Sequence, residues 1–178
     1  MSFSFRRLAL ASAGLLLGTA AIPALAENPP ATLQTLLDRA QIEDLLVDYY
    51  SHLGAGQSEF GKYYVADGVL DVNGLVAQGE KPIEDLYKKI AAGSPHLKGK
   101  FRMLLTNPHI VVNGDTATAD VIWTGINDES LAAAPRFVEQ GREHDELVKN
   151  HGHWYFKHRI ITSDAGLQPM FKDLYKER

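Results

Sequence analysis

Two acidic residues stand two positions apart in an alternating stretch near the C-terminus. Glu143, Asp145 and Leu147 would share one face of a strand, because successive side chains of a strand point to opposite sides. If Leu147 points into a core, both carboxylates point there as well. Two inward carboxylates raise the pKa of one of them, which would provide a general acid or base near neutral pH. The alternatives are that this face is solvated, or that Asp145 pairs with Arg159 on the neighbouring strand.

Three further side chains could move a proton or hold a developing negative charge. Tyr49 falls on the buried stripe of a predicted helix, where its hydroxyl could stabilise an oxyanion, although a core tyrosine with a satisfied hydroxyl fits equally well. His109 shares a predicted strand face with Met103, and its pKa suits proton transfer, but a satisfied core histidine fits this pattern too. Arg102 could supply positive charge to the same oxyanion, although its position in the strand points it away from Met103.

Apolar and aromatic residues in the same segments are candidate walls of a binding pocket, or members of the core. These are Leu53, Tyr64, Met103 and Trp123. The histidines near the last predicted hairpin match no standard ligand spacing, so no metal site is predicted. The chain has no glycine-rich phosphate loop either, so no nucleotide or flavin cofactor is predicted.

The elements that position these residues are predicted to be helices first and strands afterwards. A helix is expected from Asp38, read as its N-cap with Gln41 as the reciprocal partner, to Leu53. The helical pattern is therefore expected to be interrupted near Asp38. The glycines at 54 and 56 end the helix. A short helix over 59–66, a turn at 67–68, a strand over 69–73 and a helix over 82–92 follow.

From residue 101 onward the apolar period becomes two, which predicts a meander of four strands. Asn113-Gly114 is a strong hairpin signal between the first two strands, and Asn150-His-Gly152 marks the second hairpin. The predicted strands span 101–112, 116–126, 142–149 and 153–162, with a loop over 127–140. Helices that precede an antiparallel sheet define an α+β domain, and a curved sheet around a helix leaves room for a small-molecule site.

Five short patterns, in this order and spacing, resemble the SnoaL-like branch of the nuclear-transport-factor-2-like (NTF2-like) superfamily over residues 38–162. They are Ile42-x-Asp44-Leu45-Leu46-x-x-Tyr49, Phe60-x-x-x-Tyr64-x-x-Asp67-Gly68-Val69, Thr106-Asn107-Pro108-x-Ile110, Gly114-Asp115-x-Ala117 and Gly141-x-x-x-Asp145-x-Leu147-Val148-x-x-x-Gly152-x-Trp154-x-Phe156-x-x-Arg159. The resemblance implies a conical α+β barrel, commonly dimeric. Its members include cofactor-free dehydratases, isomerases, cyclases and lyases, as well as proteins that only bind ligands.

The resemblance also carries expectations for single positions. A pocket-lining role is implied for Tyr49, and a polar substrate contact for Glu143. Several lyases of the group use an Asp just after the first helix together with a His on the first long strand. Those positions match Gly54 and Met103 here, so this chain lacks that base pair.

The N-terminus has the pattern of an export signal. Arg6 and Arg7 precede an apolar run that ends in Ala24-Leu25-Ala26, which fits a signal peptide over 1–26 and a periplasmic or secreted product. An uncleaved membrane anchor is the alternative. A linker over 27–37, the domain over 38–164 and a tail over 165–178 would follow.

The composition of the processed chain limits its partners. Losing Arg6 and Arg7 changes the formal net charge from −4 to −6, and there are no cysteines. An acidic domain without a basic cluster argues against binding to nucleic acid or to an anionic membrane. The sequence therefore predicts a cofactor-independent lyase, dehydratase or isomerase for a small hydrophobic, aromatic or polycyclic molecule. The alternative is a non-catalytic domain that binds a ligand or associates with itself.

Overall fold

The computed structural model describes residues 31–53, 59–93 and 99–175. The elements in chain order are α1 (Leu33–His52), a 3-10 helix (Phe60–Tyr63), β1 (Tyr64–Val72), β2 (Leu75–Gln78), α2 (Glu80–Gly93), β3 (Lys100–Asn113), β4 (Thr116–Asp128), β5 (Arg136–Asn150), β6 (His153–Ala165) and a second 3-10 helix (Pro169–Phe171). The predicted signal peptide and the helix stop at Gly54 lie outside the described residues.

The six strands form one curled sheet in the order β2-β1-β6-β5-β4-β3. Only β1 and β6 are parallel, and the other neighbouring strands are antiparallel. The concave face of this sheet is called the inner face below. α1 packs on the inner face against β3 and β6, which confirms the predicted α+β class and places the core between the helices and the sheet.

α1 begins earlier than predicted and passes through Asp38 without a break. Thr32 is the actual N-cap, and its side chain and that of Thr35 each accept a hydrogen bond from the other residue's backbone N–H. Asp38 was wrongly expected to be the cap. Its carboxylate instead accepts hydrogen bonds from Lys149 and Trp154 on the sheet, so it does not compete for the helix backbone.

The strands are longer than the hydrophobic pattern indicated. β1 begins at Tyr64 and includes residues 67–68, predicted to be a turn, at an irregularity in its pairing with β6. β2 was not predicted, and Asn73 and Gly74 connect it to β1 with positive φ values of 52° and 92°. β5 begins at Arg136, inside the predicted loop over 127–140. Both predicted hairpins, around Gly114 and Gly152, are confirmed.

A bulge in β3 decides which side chains of that strand face inward. The pairing of β3 with β4 shifts between Thr106 and His109, and Asn107 adopts a positive φ of 51°. Such a shift reverses the alternation of side chains. Met103 therefore lies on the inner face before the bulge and Ile110 lies there after it, whereas His109 is turned outward.

Candidate functional site

Three charged side chains are buried together at the centre of the inner face. Arg159 and Asp145 have no exposed surface, and Glu143 is 3% exposed. Arg159 Nη2 donates to Glu143 Oε2 at 2.6 Å, and Arg159 Nε lies 3.3 Å from Asp145 Oδ1. Arg159 is the cross-strand neighbour of Asp145. Leu147 is buried, and the two carboxylates point inward with it, as expected for that case. The alternative, a pairing of Asp145 with Arg159, is found as well. These three residues are called the buried ion trio below.

Aromatic rings from α1 and β6 enclose the guanidinium of the trio. The Arg159 Cζ lies 4.1 Å from the ring centroid of Tyr49, 4.3 Å from that of Phe156 and 5.0 Å from that of Tyr50. Cation–π attraction in this desolvated setting partly replaces the hydration that the guanidinium loses. The Tyr50 hydroxyl also donates a hydrogen bond to Glu143 Oε2. One oxygen of Glu143 is therefore held by both Tyr50 and Arg159.

Tyrosine hydroxyls form a second polar group beside the trio. The Tyr49 hydroxyl lies 3.3 Å from that of Tyr64 and is hydrogen-bonded to that of Tyr87. Burial raises the pKa of Tyr49, Tyr50 and Tyr64 well above the ordinary value, and it raises the pKa of Tyr87 to about 12. All four phenols are therefore neutral hydrogen-bonding groups at physiological pH.

The buried ion trio holds one more potential negative charge than positive charge. Desolvation raises the pKa of Asp145 well above its usual value. The Arg159 charge opposes this shift, and the nearby Glu143 carboxyl adds to it. Two ionised carboxylates beside one guanidinium would leave a net buried charge, which is strongly unfavourable. Burial and the neighbouring carboxyl therefore favour the protonated form of Asp145 beside the pair that Glu143 forms with Arg159.

Several buried polar atoms around the trio have no hydrogen-bond partner among the described residues. They are Glu143 Oε1, both carboxyl oxygens of Asp145, Arg159 Nε and Nη1, and Trp123 Nε1. Buried polar atoms are usually paired, and unpaired ones are characteristic of functional sites. Of these atoms, Asp145 Oδ1 and Arg159 Nε still attract each other as an ion pair at 3.3 Å.

The inner face is less covered at one end of β3 than at the other. Phe101, Met103 and Leu105 point inward but are only half-buried, whereas Ile110 and Val112 beyond the bulge are fully buried beneath α1. A half-buried apolar inner face next to buried polar atoms is the usual composition of a small-molecule site.

The structure places most of the predicted site residues in this region. Tyr49, Tyr64 and Trp123 are buried, and Leu53 and Met103 are partly buried against the core. Glu143 and Asp145 both pair with Arg159, and the guanidinium of Arg159 lies over the ring of Tyr49.

Two predicted catalytic residues lie elsewhere. The Arg102 side chain is 63% exposed and pairs with Asp128 at 2.8 Å, because the alternation of β3 points it away from Met103. The His109 side chain is also 63% exposed, because the bulge turns it to the outer face, where it lies 3.9 Å from Asp120. Neither residue reaches the buried ion trio, so the structure does not bring them together with the other predicted site residues.

Sequence reasoning missed the roles of Tyr50, Tyr87 and Arg159 in the interior. Tyr50 lies off the apolar stripe that was used to select Tyr49, yet it is 5% exposed and bonds to Glu143. Arg159 was weighed only as a partner of Asp145. Simple alternation along β6 would turn Arg159 away from the face of Phe156, and a register shift in the pairing of β5 with β6 between Glu146 and Leu147 brings it inward. The sequence pattern therefore held no signal for its inward position.

Other surfaces of the described part of the chain are less suited to chemistry. A shallow depression of about 290 Å³ lies apart from the trio, lined by Leu45, Lys62, Tyr63, His153, Trp154 and Tyr155. Within residues 31–53, 59–93 and 99–175, no three His, Asp or Glu side chains are grouped so that they could share a metal ion. None of the helices in these residues combines the length and apolar character that a membrane span requires.

The chain belongs to the SnoaL-like domain family, whose model matches residues 34–160. This assignment confirms the family that the sequence patterns indicated. No match was found among curated proteins.

Solved structures of similar shape support the same fold. An NTF2-like protein with a cystatin-like fold from Novosphingobium aromaticivorans is 20% identical, with a TM-score of 0.60 over 82% of this chain and 93% of that one. A candidate scytalone dehydratase from the same organism is 20% identical, with a TM-score of 0.59 over 74% and 87% of the two chains. ActVI-ORFA from Streptomyces coelicolor is 18% identical, with a TM-score of 0.59 over 71% and 96%. The fold is therefore NTF2-like.

Proposed function

We propose that this protein is a cofactor-independent lyase, dehydratase or isomerase that acts on a small hydrophobic molecule, aromatic or polycyclic in character. The observation that carries the proposal is the buried ion trio, in which Glu143 and Asp145 both lie against Arg159 and burial raises the pKa of Asp145. Such a pair provides an acid and a base within one desolvated site. The resemblance in fold to a candidate scytalone dehydratase supports the dehydratase form of the proposal.

A dehydration can be written with the residues of the trio alone. Glu143 accepts the proton of a carbon acid in the substrate, and the electron pair of that C–H bond forms the new double bond. The neighbouring C–O bond breaks, and the departing hydroxide leaves as water after it takes the proton of Asp145. Arg159 balances the charge that moves between the two carboxyl groups. For an isomerase, the proton is returned to another carbon and no water leaves.

The activity test compares Glu143→Gln and Asp145→Asn with the wild type, using a panel of hydroxylated bicyclic aromatic ketones and measuring water loss or double-bond migration. Each variant should lose about 10²–10⁴-fold in kcat, which is the usual contribution of a positioned acid or base. The matched control is His109→Ala on the outer face, which should retain full activity. Turnover that survives both carboxamide substitutions would refute the acid–base role of the trio.

A non-catalytic binding domain is the second candidate, and a specific observation favours it. Arg159 pairs with both carboxylates, and the Tyr49 hydroxyl is hydrogen-bonded to the hydroxyls of Tyr64 and Tyr87. Such a network can serve mainly to fix the packing of a polar core. In that case the wild type would bind members of the panel without converting any of them.

We propose further that the protein forms homodimers through the outer face of the sheet. Leu104 on β3 and Ile122 on β4 are exposed there, close to one another across the strand pair. An exposed apolar pair on a broad sheet face suits self-association.

The protein is also proposed to work outside the cytoplasm. The support is the sequence of residues 1–26, in which two arginines are followed by an apolar run and then by small residues.

A further inference from the structure

The two tryptophans of this protein differ in the state of their indole N–H groups. Trp154 Nε1 donates to Asp38 Oδ1 at 3.3 Å. Trp123 is only 4% exposed, yet its Nε1 has no hydrogen-bond partner among the described residues. A buried donor left without an acceptor is unfavourable by more than an ordinary hydrogen bond contributes. Trp123 therefore differs from Trp154 in a way that packing alone does not explain.

A glycine on the neighbouring strand fixes where the Trp123 indole lies. Gly141 faces Trp123 across β4 and β5. A Cβ atom at Gly141 would lie 2.3 Å from Cζ2 and 2.7 Å from Cε2 of Trp123, and 2.2 Å from the carbonyl oxygen of Thr162. No other residue could occupy position 141 without moving the ring. Because Cε2 is bonded to Nε1, the nitrogen-bearing edge of the indole lies over Gly141.

The strand register places Trp123 diagonally across from Glu143, because Gly141 pairs with Trp123 and Glu143 pairs with Val121. Glu143 is the next inward residue of β5 after Gly141, and its Oε1 is one of the unpaired buried atoms. The cross-strand neighbour of Trp123 on its other side is Leu105, a half-buried residue of the open inner face of β3. A donor, an acceptor and an apolar surface thus occupy adjoining positions on the inner face.

We infer that the Trp123 indole N–H is the hydrogen-bond donor that holds a carbonyl oxygen of the ligand, so that the site prefers small aromatic ketones over hydrocarbons of the same shape. The apolar body of the ligand lies along Met103 and Leu105, and its oxygen accepts from Nε1. Glu143 then lies on the side where the acidic C–H next to the carbonyl would be. This inference rests on the proposed function, and it names the substrate class and the residue that selects it. A site built around a buried donor discriminates strongly against an analogue that lacks the acceptor.

The test uses 1-indanone and indane, which share a bicyclic skeleton and differ in the carbonyl group. Their dissociation constants are measured for the full processed chain and for W123F and W154F, with folding checked by circular dichroism. The wild type and W154F should bind 1-indanone about tenfold more tightly than indane, whereas W123F should bind the two ligands nearly equally.

A second readout does not depend on whether W123F folds. In ¹⁵N-labelled W154F the only indole signal is that of Trp123. Addition of 1-indanone should move its N–H proton downfield and slow its exchange with solvent, and indane should do neither.

The outcomes separate this inference from the proposed function. If both ligands bind to the wild type with equal affinity, or if W123F keeps the preference, the role of Trp123 is refuted and the hydrophobic site stands. The role of Trp123 is also refuted if W154F binds 1-indanone but its indole N–H signal does not change. If neither ligand binds to the wild type, the proposed hydrophobic site is refuted and the inference is refuted with it.

Discussion

Arg159 determines the charge state of the interior. Its guanidinium is the cation that lies within hydrogen-bonding or ion-pairing distance of both Glu143 and Asp145, and aromatic rings cover its faces. Without it, two carboxyl groups would remain in an environment that solvates neither of them. The trio is therefore expected to behave as one unit, with energies that do not add residue by residue.

Replacement of Arg159 by methionine should be among the most destabilising single changes in the protein. The Arg159→Met variant should lose about 3–5 kcal/mol of unfolding free energy, because it leaves two buried carboxyl groups without their cation. Urea denaturation followed by circular dichroism measures the loss. The control is a variant that also carries Glu143→Gln and Asp145→Asn, which should recover part of the lost stability. A triple variant no more stable than the single one would contradict this account.

The pKa of Asp145 predicts how stability depends on pH. Burial raises this pKa in the folded state, whereas the unfolded value is about 3.9. The contribution of Asp145 is therefore fully present below about pH 3.9 and is lost as pH rises toward the folded pKa. The Asp145→Asn variant does not lose this stability with rising pH, because an amide does not titrate. The unfolding free energy of Asp145→Asn relative to wild type should therefore increase between about pH 4 and pH 8 in urea titrations. A pH-independent difference would refute the raised pKa.

At the level of elements, α1 is joined to the sheet by one buried carboxylate as well as by apolar packing. Asp38 Oδ1 accepts hydrogen bonds from Lys149 Nζ at 2.5 Å and from Trp154 Nε1, and its Oδ2 accepts from Gln34. Burial acts to raise the pKa of Asp38, but hydrogen bonds from Lys149, Gln34 and Trp154 outweigh it, so the pKa is lowered. This contact fixes α1 against β5 and β6, and Tyr49 and Tyr50 on the same helix are held over the ion trio.

Asp38→Ala should therefore loosen α1 and weaken the site together. The expected loss is about 1–3 kcal/mol, because two charge-assisted or buried donors lose their acceptor. Urea denaturation measures it, and Asp44→Ala on the exposed side of α1 is the matched control, with a change within about 0.5 kcal/mol. Since the folded pKa of Asp38 is lowered, its stabilisation is present above about pH 3.9 and is lost as pH falls through the folded pKa. Equal losses for the two variants would show that Asp38 is not an anchor.

At the level of the whole molecule, the two faces of the curled sheet carry different kinds of residues. The inner face carries the ion trio, and the outer face carries Leu104 and Ile122 together with the charged pairs of Asp120. The proposed dimer would use this outer face and leave the site of each copy open.

Charged substitutions on the outer face should separate the proposed dimer. Sedimentation velocity of wild-type residues 27–178 should give the mass of two chains. The variant Leu104→Glu/Ile122→Lys should give the mass of one, because its charges resist burial. Val76→Lys, at an exposed apolar residue of β2, is the control and should stay dimeric. A wild type that sediments as one chain would refute the dimer.

The sequence by itself determined the class of the fold, the family, and the common strand face of the two carboxylates. These follow from local rules: helical and strand periods, the turn residues Gly114 and Gly152, and the alternation that places Glu143, Asp145 and Leu147 on one face.

Only the tertiary structure decided which residues meet at the site. The bulge at Asn107 reverses the alternation along β3 and removes His109 from the interior. Asp38 is satisfied by residues far along the chain, so the helix passes through it, and Arg159 becomes the common partner of both carboxylates through cross-strand register. The physical reason is the same in each case. Register, bulges and the pairing of buried charges depend on contacts between distant segments, and local sequence patterns do not contain that information.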